Sequence, residues 1–98
     1  MNENDFKAEL MADGYTEIET QMLDPRPAKG QHGHHFAIRG LVLAGSFTVT
    51  QDQQTTTYRP GQIFSVANGH PHDESVGPQG AHVIIGRKYN SQTSAPNS

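Results

Sequence analysis

Histidines are concentrated at two places in the chain, GQHGHHF at positions 30–36 and NGHPH at positions 68–72. A neutral imidazole suits a divalent metal near neutral pH, because one ring nitrogen offers a lone pair while the other is free to donate. In extended backbone, residues two apart share a face, so His32 and His34 project together while Gly33 and His35 turn away. Pro71 holds His70 extended, which lets His72 turn toward the same centre as a third neutral nitrogen ligand. Three imidazoles on rigid strands hold a divalent ion with positions left open.

Rigid strands are what the rest of the chain offers. TEIETQML (16–23) alternates Ile18, Thr20 and Met22 against Glu17, Glu19 and Gln21, the two-residue period of a half-buried strand, and DPRPAKG breaks it. The runs FAIRGLVLAG, SFTVT, TTTYR, QIFSVA and AHVIIGR follow, separated by the turn chemistry of QDQQ, PG, NGHP and GPQG. About six antiparallel strands at this spacing predict an all-β sandwich or barrel. Ahead of them NDFKAELMA (4–12) reads as a short amphipathic helix burying Phe6, Leu10 and Met11, capped by Asn4 or Asp5 and ended by Gly14. The expected organisation is a helix over 1–14, a barrel over 15–88 and a polar, disordered tail over 89–98.

With 98 residues there is room for one modest core. No cysteine is present, so any metal must sit on nitrogen and oxygen. A net charge of -3, with seven Lys and Arg against ten Asp and Glu, argues against a nucleic-acid surface. No run nears the roughly 20 apolar residues of a membrane span, and MNENDFKAEL lacks a secretory pattern. The expectation is a cytoplasmic protein whose partners are small molecules, with neither nucleic acid nor membrane.

HGHHFAIRGLVLAG followed by GQIFSVANGHPH resembles the two signature motifs of the cupin superfamily, small jelly-roll barrels. His32 and His34 fall on the paired histidines of the first motif and Gly45 on its closing glycine. Gly61, Gly69 and His72 fall on the glycines and the histidine of the second. The resemblance covers roughly positions 22–87 and implies a cupin jelly-roll barrel of antiparallel strands with His32, His34 and His72 as metal ligands. Ala67 stands where the family usually has proline, and Arg39 where it usually has a glutamate ligand.

Arg39 decides what such a site could do. A guanidinium has no lone pair to give and stays charged, so it cannot be a ligand. Pointed at the ion, it calls for an anion between them: a substrate carboxylate gripped by Arg39 and touching the metal. Turned aside, it would pair with a carboxylate such as Asp73 or Glu74, or serve as a plain surface residue. Without a first-motif carboxylate, Zn²⁺, Ni²⁺, Fe²⁺ or Cu²⁺ is favoured over Mg²⁺ or Ca²⁺.

These residues predict a metal-dependent enzyme of the isomerase, lyase or dioxygenase type acting on a small anionic substrate. Arg39 would orient the anion, and Tyr58, Asp73 or Glu74 would accept a proton. The alternatives are a non-catalytic module that binds or senses a small molecule, and a barrel whose histidines take up metal adventitiously. His35 and His70 read as solvated, and His82 as a packing residue. A homodimer is expected, with TEIETQML covering an exposed sheet edge.

Overall fold

The computed structural model describes residues 1–89; the tail expected from position 89 lies outside them except for Tyr89. The chain forms α1 (Glu3–Ala12), β1 (Thr16–Leu23), β2 (Phe36–Gln51), β3 (Gln54–Tyr58), β4 (Ile63–Val66) and β5 (Asp73–Tyr89). No helix among the described residues is long and apolar enough to cross a membrane.

Five strands replace the expected six because two expected strands are continuous, and another strand runs through a stretch that reads as a turn. FAIRGLVLAG and SFTVT are one 16-residue strand, β2, and GPQG lies inside the 17-residue β5. Both strands keep pairing through these points by bulging: the β2–β5 register shifts on either side of Ala44–Gly45. Gly45 and Gly80 have φ of +75° and +77°, and a Cβ on Gly45 would overlap the carbonyl oxygen of Gly80. Glycine is required there by both conformation and contact.

The bulges divide each long strand into two halves with different neighbours. Before Gly45, β2 pairs with β4 and with the C-terminal half of β5; after it, with β3 and the N-terminal half of β5. β1 pairs antiparallel with the far side of β5. Ile38, Val42, Phe47, Val49, Phe64, Val66, Val76, Val83 and Ile85 of β2, β4 and β5 share one buried cluster, with Leu23 of β1 and Tyr58 of β3 packed against it. Both layers thus close on a single core as a jelly-roll barrel.

Between the two halves of β2 the inward parity switches, from even positions (Ile38, Val42) to odd ones (Phe47, Val49). Leu41 belongs instead to a second cluster with Phe6, Leu10 and Ile84, where the helix lies on the outside of the barrel. Gly86 leaves room for Leu10 and Tyr15 there.

Asn2 caps α1 rather than Asn4 or Asp5, its side-chain oxygen accepting from the Asp5 N–H at 2.8 Å. Gly14 (φ +86°) and Tyr15 donate back to Met11 and Leu10 in a Schellman turn, so the expected stop holds. Met11 is 65% exposed, and only Phe6 and Leu10 of the expected helix face are buried. In β1, Ile18 packs beneath the helix but Met22, on the same face, is 78% exposed because the helix does not reach it. Leu23, of the other parity, packs on the barrel core.

Candidate metal centre

Two chain segments carry the site, and hydrogen bonds lace them together. His32 and His72 exchange two backbone hydrogen bonds of 2.8 Å each, and Arg26 and Val76 pair the same way at 2.9 and 3.2 Å. Between these pairs the Asp73 carboxylate accepts from the backbone N–H groups of Lys29 and Gly30 at 3.2 Å, and from that of Glu74 at 2.8 Å. DPRPAKG, read from sequence as a break, is therefore tied to the start of β5. One short ribbon presents His32, His72 and Glu74 together.

Nδ1 of His72 lies 3.0 Å from the carbonyl of His70, and Nδ1 of His32 lies 3.2 Å from that of Gly30. A carbonyl only accepts, so each Nδ1 carries a proton, and in the neutral ring Nε2 is the nitrogen with the lone pair. Both Nε2 atoms lie near Glu74: its Oε2 is 3.1 Å from Nε2 of His72, within hydrogen-bond reach, and 3.9 Å from that of His32. His34 completes the cluster, its ring centroid 5.0 Å from His32 and 5.3 Å from His72.

One potential ligand atom from each of His32, His34, His72 and Glu74 lies within 4.8 Å of all the others. Donors at tetrahedral corners around zinc would sit about 3.3 Å apart. His72 is fully buried, the one buried polar or charged side chain among the described residues. A buried nitrogen lone pair facing a carboxylate oxygen is repulsive unless a proton or a cation lies between them. The donor set fits a divalent ion, with main-chain carbonyls fixing two of the three tautomers from behind.

His34 stacks on Phe36, with centroids 4.8 Å apart and planes 10° from parallel. The guanidinium of Arg87 lies 5.6 Å above the other ring of this pair, that of Phe36, and is itself held by Glu19 at 2.8 Å. Partial burial pushes the His34 pKa below its ordinary 6.5; His32 and His72 push the same way, Glu74 opposes them, and Arg87 adds to the lowering. Desolvation raises the Asp73 pKa, but the Glu74, Lys29 and Gly30 N–H groups and His32 outweigh it, leaving the group lowered overall.

The structure brings His32, His34 and His72 together and puts Arg39 elsewhere. Arg39 lies on the odd, outward parity of β2 beside Leu41, and its guanidinium pairs with Glu9 of the helix at 3.7 Å and with Asp13, its C-cap, at 3.0 Å. It does not face the histidines, nor does it pair with Asp73 or Glu74. The carboxylate of the cluster is Glu74, expected from sequence as a proton acceptor or a partner for Arg39 and not as a ligand. Its signal was present in H-x-E, the same two-residue spacing as 32 and 34, although the three histidines sit just ahead of β2 and β5 and not within strands as expected. Tyr58 packs on the core with its ring 5.8 Å from Phe64 and is not part of the cluster.

The remaining histidines fall outside the cluster. His35 is exposed, and His82 stands opposite Met22 and Ala44 on β5. His70 is not simply solvated: its Nε2 meets Asp52 at 2.9 Å, joining the ligand loop to the β2–β3 turn.

No family model matches the chain, and no curated protein sequence does. Solved structures are similar to it. One is a protein of unknown function from Rhizobium leguminosarum bv. viciae 3841, at TM-score 0.67 and 20% identity over 74% of this chain and 69% of that one. A cupin protein from Bacteroides fragilis gives TM-score 0.59 and 13% identity over 74% and 64%. A chain from a study of DMSP lyases gives 0.62 and 15% over 72% and 37%. This chain spans about two thirds of the first two and little more than a third of the lyase chain. Two long bulged strands wrapped around one core, and solved cupins of the same shape, agree: the chain has the cupin fold.

Proposed function

We propose that the chain is a small metal-binding cupin whose centre is His32, His34, His72 and Glu74, and that it acts on a small anionic substrate. The observation that carries this reading is the convergence of three imidazoles and a carboxylate within 4.8 Å. Three nitrogens in the set favour Zn²⁺, Fe²⁺, Ni²⁺ or Cu²⁺ over Mg²⁺ or Ca²⁺. The four side chains carry a single negative charge, so a divalent centre stays net positive and favours an anionic oxygen in its open positions. Arg39 is not needed for that preference.

When bound, such an ion supplies Lewis-acid polarisation of a substrate carbonyl or enolate, as an isomerase, lyase or dioxygenase requires. The chain's own part is positional. The His70 and Gly30 carbonyls hold two imidazoles in the ligating tautomer, and the Phe36 ring fixes His34. The lyase among the similar structures supports a catalytic reading.

One observation favours the alternative, a module that binds or senses a small molecule without reacting. All three expected proton acceptors are engaged: Asp73 by three N–H groups, Glu74 in the cluster, and Tyr58 in the core. The reading extends to a cytoplasmic homodimer paired along β1, which is an edge of the sheet. The experiment is a screen of small carboxylates against Fe²⁺- and Zn²⁺-loaded protein, following both binding and turnover. Turnover lost in His72→Ala supports the enzyme; ligand binding without turnover supports the module; neither, with any carboxylate, contradicts both.

A further inference from the structure

Nothing in the sequence pattern singles out Arg26. Its backbone is fixed opposite Val76, and its side chain reaches diagonally to Glu74. One guanidinium nitrogen donates to the Glu74 main-chain carbonyl at 3.1 Å and another to Oε1 of the same residue at 3.1 Å. Two donors of one planar fork thus hold both the backbone and the side chain of residue 74. The remaining oxygen, Oε2, is the one beside His72 and His32.

We infer that Arg26 is a positioning residue that makes Glu74 a one-oxygen ligand, reserving the other oxygen for itself and so keeping a coordination position of the centre open. The inference rests on the metal-centre reading above. Released from the fork, the carboxylate is free to rotate and offer both oxygens, or to swing toward solvent. Either change weakens or crowds the centre. Lysine at this position would restore the charge but not the fork, since an ammonium cannot span the main-chain and side-chain oxygens with planar, preset donors.

Co²⁺ is the probe, because its visible absorption is strong in four-coordinate sites and weakens as the coordination number rises. The native protein should bind one equivalent. Arg26→Ala should bind about 10–100-fold more weakly, the usual cost of losing an outer partner of a ligand, with a weaker and shifted visible band. Arg26→Lys should recover part of the affinity and none of the band. Circular dichroism of the chelated variants checks the fold, and if Arg26→Ala does not fold, Arg26→Lys decides. Native affinity and a native spectrum in a folded variant would overturn the inference while leaving the metal centre standing. A native protein that takes up no Co²⁺ would overturn both.

Discussion

Nε2 of His72 and Oε2 of Glu74 lie 3.1 Å apart, with the imidazole wholly out of solvent and its other nitrogen committed to the His70 carbonyl. Two acceptor atoms so placed attract whatever positive species enters between them, a proton or a metal ion. A proton satisfies this pair alone, whereas a metal ion would also engage His32 and His34.

Glu74→Gln separates the two requirements. The amide is nearly the same size and can donate to Nε2 of His72, so the metal-free fold should keep its stability to within about 1 kcal/mol even after weakening the Arg26 pair. Bound metal present at 100 times its Kd should stabilise the native protein by about 2.7 kcal/mol. Thermal melts with and without Zn²⁺ should show that gain in the native protein and its disappearance in the variant. An equal gain in both would remove Glu74 from the ligand set.

Arg39→Ala tests the displaced arginine. Its partners Asp13 and Glu9 are about half exposed, so the change should cost no more than about 1 kcal/mol of stability. Metal affinity and substrate binding should not change. A loss of anion binding in a stably folded Arg39→Ala protein would contradict the outward placement.

How much could be read from sequence differs by residue. The paired histidines were legible because residues two apart project to one side where backbone is extended, and this spacing survives although the pair lies ahead of β2 and not in a strand. Arg39 misled because Ile38 and Leu41 are both apolar, one packing inward and one under the helix, so two-sided burial hides the alternation that would have shown the arginine facing out. The lengths of β2 and β5 were hidden for another reason: glycine-rich stretches that terminate strands in most sequences here form bulges that let the strands continue. Arg26, whose contact to Glu74 spans 48 positions, left no local signal at all.

Gly45 gives the fold its own test. Alanine there would have to adopt φ near +75° with its methyl group in the Gly80 carbonyl. A loss of about 3 kcal/mol or more is expected, combining backbone strain with a steric clash, and chemical denaturation would measure it. Stability close to native would mean that the two long strands do not meet at that corner.

The lowered pKa of His34 sets a direction for pH. A folded-state pKa below the unfolded value of 6.5 means that protonation opposes folding. The contribution of His34 is complete above pH 6.5 and is lost as pH falls through the lower folded-state value. Chelator-treated protein should melt at falling temperature over that acidic window, and His34→Gln should flatten the dependence. Metal affinity should fall over the same window, since ligation needs the neutral ring. A melting temperature that rises on acidification through this range, and does so through His34, would reverse the sign and refute the argument.

The most direct measurement is metal content by elemental analysis after loading untagged protein with Zn²⁺ or Fe²⁺ and dialysing away the excess. One ion per chain is expected in the native protein, falling close to zero in both His72→Ala and Glu74→Gln. Retention of a full equivalent by the two variants, or none by the native chain, would contradict a centre made of these four side chains.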